Sequence, residues 1–191
     1  MSLPILMLDQ NALSPRYGYV FHRCWLQPYE SVVSMLWKFI RMNRVPGAAL
    51  VEKLSRDPVD PYEGISMRNL DASAIARFLH IPRRSVLAGI VIASDGCRLL
   101  RFCSRCMSLG YHGMVHQRER QARCPIHELP LLTSCAHCGR ASSYLLNAAL
   151  LDAPFRCLYC RRHYGSNGSS PLPCVPLTRE RRIAVTRAAI G

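Results

Sequence analysis

Apolar residues at helical spacing before residue 96, and cysteines in two-residue-spaced pairs after it, predict a mainly α-helical chain with small zinc-stabilised modules. Residues 1–96 read as a helical domain with a helix-turn-helix-like pair. Residues 97–164 read as a double zinc-binding domain of two tandem zinc-finger or zinc-ribbon units. Residues 165–191 read as a Gly/Ser/Pro linker followed by a basic segment. The third observation is size: 191 residues with 49% apolar content is an ordinary globular composition, but a core divided between two units is thin in each.

Residues 1–29 lack periodicity and are rich in Pro and aromatics, which predicts an ordered arm lying on a core. Residues 30–43 turn helical, with Val32, Val33, Leu36, Trp37, Phe39 and Ile40 on one face and Lys38 and Arg41 opposite. Pro46 suits a helix start, so residues 48–54 form a second short helix, and 57–68 read as a loop. Asp71 is an N-cap for a helix over 72–79, and Pro82 opens another that reaches about residue 93. Ala76, His80 and Val86 have helix-turn-helix spacing, although a Gly usually supplies the positive φ at the position of His80. In a DNA-reading pair, Arg83, Arg84 and Ser85 would stand at the N-terminal end of the recognition helix. An ordinary helical hairpin with exposed arginines has the same pattern. Residues 178–190 start a further helix, with a basic cluster at Arg179, Arg181 and Arg182.

The ten cysteines are numerous, and seven of them stand in pairs spaced for metal. Four knuckles lie within 58 residues: Cys103-x2-Cys106, Cys124-x2-His127, Cys135-x2-Cys138 and Cys157-x2-Cys160. Eight ligands fill two closed tetrahedral sites, so two Zn2+ ions per chain are expected, in structural rather than catalytic sites. Zinc is preferred to an iron–sulfur cluster because one ligand is His. Pairing in sequence order is the first expectation, and an interleaved scheme has compatible spacing. His112 and His116 offer an alternative completion with Cys103 and Cys106, and His137 is expected to face solvent. Cys24 and Cys97 are expected as buried free thiols, and Cys174 is unassigned.

Charge is uneven. Residues 1–95 carry 11 Lys/Arg against 8 Asp/Glu, and residues 96–191 carry 14 against 4, within a formal total of +13. Two zinc ions with their thiolates would leave about +10. A polyanionic partner follows, and DNA is the expected one. Of the basic residues, 23 are Arg, whose planar fork suits phosphates and base edges; GC-rich coding explains such a ratio but not the net charge. The basic excess at Arg98, Arg101, Arg105, Arg118, Arg120, Arg123, Arg156, Arg161 and Arg162 is threaded between zinc ligands; Arg118, Arg120, Arg123, Arg161 and Arg162 head the candidates for the phosphate backbone, and Arg83 and Arg84 those for base edges. The longest apolar run, residues 86–93, is far short of the roughly 20 residues of a membrane span, so no membrane partner is expected. No basic-flanked leader opens the sequence, and the chain is expected in a bacterial cytoplasm, near the nucleoid. There is no phosphate-binding Gly-Lys loop, no carboxylate cluster for two catalytic metals and no evident nucleophile, so a non-enzyme is expected.

The order of these units resembles the TniQ/TnsD family of transposition proteins. The residues that carry the resemblance are Gln27-Pro28-Tyr29-Glu30-Ser31-Val32-Val33-Ser34-Met35-Leu36, then Arg101-Phe102-Cys103-Ser104-Arg105-Cys106, Tyr111-His112, His116-Gln117, Cys124-Pro125-Ile126-His127, Leu131-Leu132 and Cys135-Ala136-His137-Cys138-Gly139. They span about residues 28–160. Ser104 and Ala136 stand where the family often has Pro, and His116 where some members have Trp; none of these removes a ligand. Most full members continue into a second helical region beyond this sequence. The resemblance implies a non-catalytic accessory or target-selection factor that links target DNA, or an RNA-guided effector complex, to an AAA+ ATPase and its transposase. A homodimer is compatible with it. Two other functions fit the same layout: a zinc-dependent helix-turn-helix transcription regulator, and a basic structural adaptor without nucleic-acid contact.

Overall fold

The computed structural model describes residues 19–90, 96–165 and 175–191. Among them the chain is helical, with isolated β-bridges and no strand. Seven α-helices follow in order: α1 (Val32–Asn43), α2 (Gly47–Leu54), α3 (Ala72–Phe78), α4 (Arg83–Ala88), α5 (Ser104–Ser108), α6 (Ala148–Leu151) and α7 (Arg179–Ile190). Single 3-10 turns lie at Arg23–Trp25, Met67–Asn69 and Met114–Gln117.

Helix α1 is the axis of the molecule. Ser31 caps it, its hydroxyl accepting from Ser34 N–H at 3.1 Å. Residues 32 to 40 are all buried, so the helix is covered all round rather than on one face. The sequence pattern placed Lys38 on a solvent face; instead it is fully buried, as is Glu30, and Lys38 Nζ lies 2.5 Å from Glu30 Oε1. That pairing turns a polar position into a core position. Lys38 also donates to the Trp25 carbonyl at 2.6 Å, which ties down the N-terminal arm.

The other helix starts follow local chemistry. Asp71 Oδ1 accepts from Ser73 and Ala74 N–H at 2.8 and 3.0 Å, and Thr178 caps α7. Between α3 and α4 the backbone takes φ +53° at His80, so the turn does require the left-handed conformation, here without Gly. The helix opened by Pro82 ends at Ala88, short of the expected residue 93; residues 91–95 lie outside the described residues. At Gly89 a Cβ would stand 2.3 Å from the Glu30 carbonyl oxygen, so only Gly permits this approach to the start of α1.

The core crosses the boundary that composition draws at residues 96/97. One buried cluster includes Trp37, Phe39, Leu50 and Ile75 from the helical half together with Phe102, Leu146, Leu150 and Phe155 from the cysteine-rich half. Trp37 donates from Nε1 to the Leu150 carbonyl at 2.7 Å, and its ring lies 4.9 Å from that of Phe155. Tyr19 and Phe78 flank Phe39 with centroids at 5.1 and 4.8 Å, so the arm does lie on the core from residue 19 onward. The expected linker falls largely at residues 166–174, outside the described residues, as does Cys174. The basic C-terminal segment forms α7, which packs on the Met114–Gln117 turn. No helix among the described residues is long and apolar enough to cross a membrane.

Candidate metal centres

Two four-ligand clusters form, in sequence order: Cys103, Cys106, Cys124 and His127, and Cys135, Cys138, Cys157 and Cys160. Within each, all ligand atoms lie within 4.8 Å of one another. The interleaved scheme is thereby excluded.

Three of the four knuckles share one local design. The first ligand's N–H donates to the carbonyl five residues on: Cys124 to Leu129 at 2.8 Å, Cys135 to Arg140 at 2.9 Å and Cys157 to Arg162 at 2.9 Å. The residue after the second ligand donates back to the first ligand's carbonyl and takes positive φ: Glu128 at +55°, Gly139 at +73° and Arg161 at +58°. Bridges 123↔130, 134↔141 and 156↔163 close each loop. Only Gly139 announces that conformation in the sequence. The fourth knuckle differs: Cys103 stands at the N-cap of α5, whose first turn carries Cys106.

The residues fit zinc. Zn–S bonds of about 2.3 Å place tetrahedral ligand atoms roughly 3.8 Å apart. The Cys106 and Cys124 sulfurs are 3.6 Å apart, Cys135 and Cys160 3.7 Å, and Cys138 and Cys157 3.6 Å. His127 Nδ1 lies 3.5, 3.3 and 3.9 Å from the sulfurs of Cys103, Cys106 and Cys124. Contacts with the Cys106 and Cys124 thiols hold Cys103 far below the usual thiol range, whereas burial and then Cys103 and Cys124 push Cys106 up. The hydrogen bond to Cys103 pushes Cys124 to about 11. One thiolate thus leans on its neighbours' protons, and a dication replaces those protons. Two Zn2+ ions per chain fit these two sets.

His112 and His116 are not ligands of either set. His112 accepts from Ser31 Oγ–H on Nδ1 at 2.7 Å and donates from Nε2 to the Arg101 carbonyl at 2.8 Å. His116 is fully buried and sits behind the first site. Gly113 N–H donates to its Nδ1 at 3.2 Å, which leaves the proton on Nε2, 3.6 Å from Cys124 Sγ. It therefore donates to a ligand sulfur and orients it. Spacing did not reveal this role. His137 is exposed, as expected, but Cys24 is exposed rather than buried, in a short turn that buries none of its residues, and Cys97 is only half-buried.

The sites differ in cover. Leu177 and Val185, flanking and within α7, are buried against Cys103, Cys106, Cys124 and Tyr111. In the second site Cys138 and Cys160 are half-buried.

The candidate nucleic-acid residues differ in what their side chains do. Arg118 donates to the carbonyls of Ala188 and Ala189 at 2.9 and 2.7 Å, satisfying the C-terminal end of α7. Arg123 donates to the Glu128 carbonyl at 2.8 Å and Arg161 to that of Asp152 at 3.2 Å. Arg120 and Arg162 are exposed. Arg83 and Arg84 are exposed at the start of α4, and Arg83 donates from Nε to Ser73 Oγ at 3.1 Å. Arg101, nearly buried, donates to the carbonyls of Arg118 and Gln121 and braces the loop between them. No family model and no curated protein matches the chain.

Proposed function

We propose that the chain is a non-catalytic accessory or target-selection factor of DNA transposition, of the TniQ/TnsD kind. It would link target DNA or an RNA-guided effector complex to an AAA+ ATPase and, through it, to the transposase. One observation carries the reading: the two sequence blocks behind the resemblance interlock. Glu30 accepts from Gln27 N–H and Ser34 Oγ–H at 3.0 and 2.6 Å, and Ser34 Oγ accepts from His112 N–H at 3.1 Å. Ser31 N–H donates to the His112 carbonyl at 2.8 Å, and the Tyr111 hydroxyl to that of Pro28 at 3.0 Å. The Pro28–Ser34 motif and Tyr111-His112 therefore have a joint reason to occur together: one helix start is docked on one zinc module.

Affinity capture of the tagged full chain from its native host, with and without nuclease, tests this. An AAA+ ATPase retained after nuclease treatment is the expected result. Its absence, together with tight sequence-specific duplex binding by the chain alone, would replace the reading with a zinc-dependent transcription regulator. The exposed Arg83 and Arg84 on α4 favour that second reading.

A further inference from the structure

Three arginines line one open cavity of about 540 Å3: Arg41 and Arg44 from the C-terminal end of α1, neither among the candidates above, and Arg156 from the segment entering the second zinc site. Arg41 and Arg44 alone would be accounted for by the carbonyl end of α1, which favours cations. Arg156 has no such reason to be there. It comes from another module and faces like charge: burial first, and then Arg156, lowers the Arg41 pKa. Among the described residues the one carboxylate on the rim is Asp152, and its Oδ1 already accepts from Gly47 N–H at 2.7 Å. Val45 and Pro154 supply apolar walls beside the three guanidinium groups, which outnumber the single carboxylate and focus a positive field there. The Arg44 side chain makes no hydrogen bond or ion pair among the described residues, and Arg156 uses Nη1 on the Arg161 carbonyl at 3.1 Å, leaving its other donors.

We infer that this cavity is a phosphate site, and that the group it takes is a phosphodiester of a nucleic-acid backbone. The inference rests on the nucleic-acid contact in the proposed function. It assigns backbone contact to the seam between α1 and the second zinc module, where planar guanidinium forks from two segments can share one phosphate.

The test uses the zinc-loaded full chain. Duplex affinity is measured from about 50 to 200 mM salt for the unmodified protein, for Arg44→Gln/Arg156→Gln and for Arg44→Glu alone. The single variant leaves the Arg156–Arg161 bond intact, and zinc content and melting midpoint certify the fold. Loss of one phosphate contact should lower the slope of log K against log salt by about 0.9 and weaken all duplexes alike. A parallel titration with inorganic phosphate follows the arginine Nε–H resonances. Duplex binding with an unchanged slope in both variants overturns the site and leaves the nucleic-acid reading standing. Phosphate binding lost in the variants, without any duplex binding, keeps the phosphate chemistry but overturns its nucleic-acid source and the reading beneath it. Neither ligand binding overturns both.

Discussion

Substituting Glu30→Gln should be among the most damaging single changes outside the zinc ligands. Glu30 and Lys38 have no exposed side-chain surface. The carboxylate accepts three bonds, from Lys38 Nζ at 2.5 Å, Ser34 Oγ at 2.6 Å and Gln27 N–H at 3.0 Å. An amide removes the charge, and its NH2 must face a donor on at least one side. Lys38 is then a buried ammonium with no counter-charge, held by the Trp25 carbonyl and at best one neutral amide oxygen. Breaking a buried pair in this way costs about 3–5 kcal/mol, a large share of a typical stability of about 5–15 kcal/mol. Lys38→Met should cost a similar amount, because it strands the carboxylate. The double variant loses both charges together and should fall only about 1–2 kcal/mol below the unmodified chain, the difference being the orphaned Trp25 carbonyl and imperfect packing. Urea unfolding of the four proteins at saturating zinc, followed by Trp25 and Trp37 emission, yields the coupling energy. Single losses that simply add, within about 0.5 kcal/mol, would show that the pair does not hold the arm and α1 together.

Acidification should act through His112. Burial lowers its folded-state pKa to about 4, against about 6.5 unfolded, so the unfolded chain takes up the proton first. This contribution is intact above about pH 6.5 and falls by about 3 kcal/mol as pH drops to 4. The stability gap between the unmodified chain and His112→Gln should therefore narrow over that window, and a gap independent of pH would remove His112 as the cause. His116→Phe deletes the N–H aimed at Cys124 and should weaken zinc at the first site roughly 10–100-fold while sparing the second; chelator competition reads both, and equal affinities would refute it. Cys157→Ser should redden Trp37 emission, because Phe155 and Leu150 couple that ring to the second site. A stable proteolytic fragment ending near residue 97 with unchanged emission would show instead that the helical half stands alone.

The zinc ligands were legible because four two-residue spacings leave little choice, and helix starts were legible where Ser31, Asp71 and Thr178 supply caps. Lys38 was not, because its partner precedes the helix and no pattern marks a buried charge pair. The left-handed residues closing two knuckles are Glu128 and Arg161, types that do not advertise positive φ. Helices α5 and α6, of five and four residues, are too short to show a period. His116 gains its role only when the Gly113 turn brings it behind Cys124. The change in texture at residue 97 is real, but packing ignores it: cysteine spacing reports metal chemistry, whereas the partners of Trp37 are set by tertiary structure.

The roof that Leu177 and Val185 place over Cys103, Cys106 and Cys124 imposes an order of assembly. On the ribosome, the second quartet and the loop that closes its last knuckle are complete once residue 163 has emerged, before α7 is made. The first quartet emerges earlier, yet its cover is synthesised after both quartets, so it stays open to exchange until α7 arrives. In the finished molecule the sequence of events reverses. The half-covered second ion is the first to go to a competing thiol, and release of the first waits for α7 to lift and free the Arg118 guanidinium from its last carbonyls. Metal turnover at the first site is thereby a report on the docking of α7.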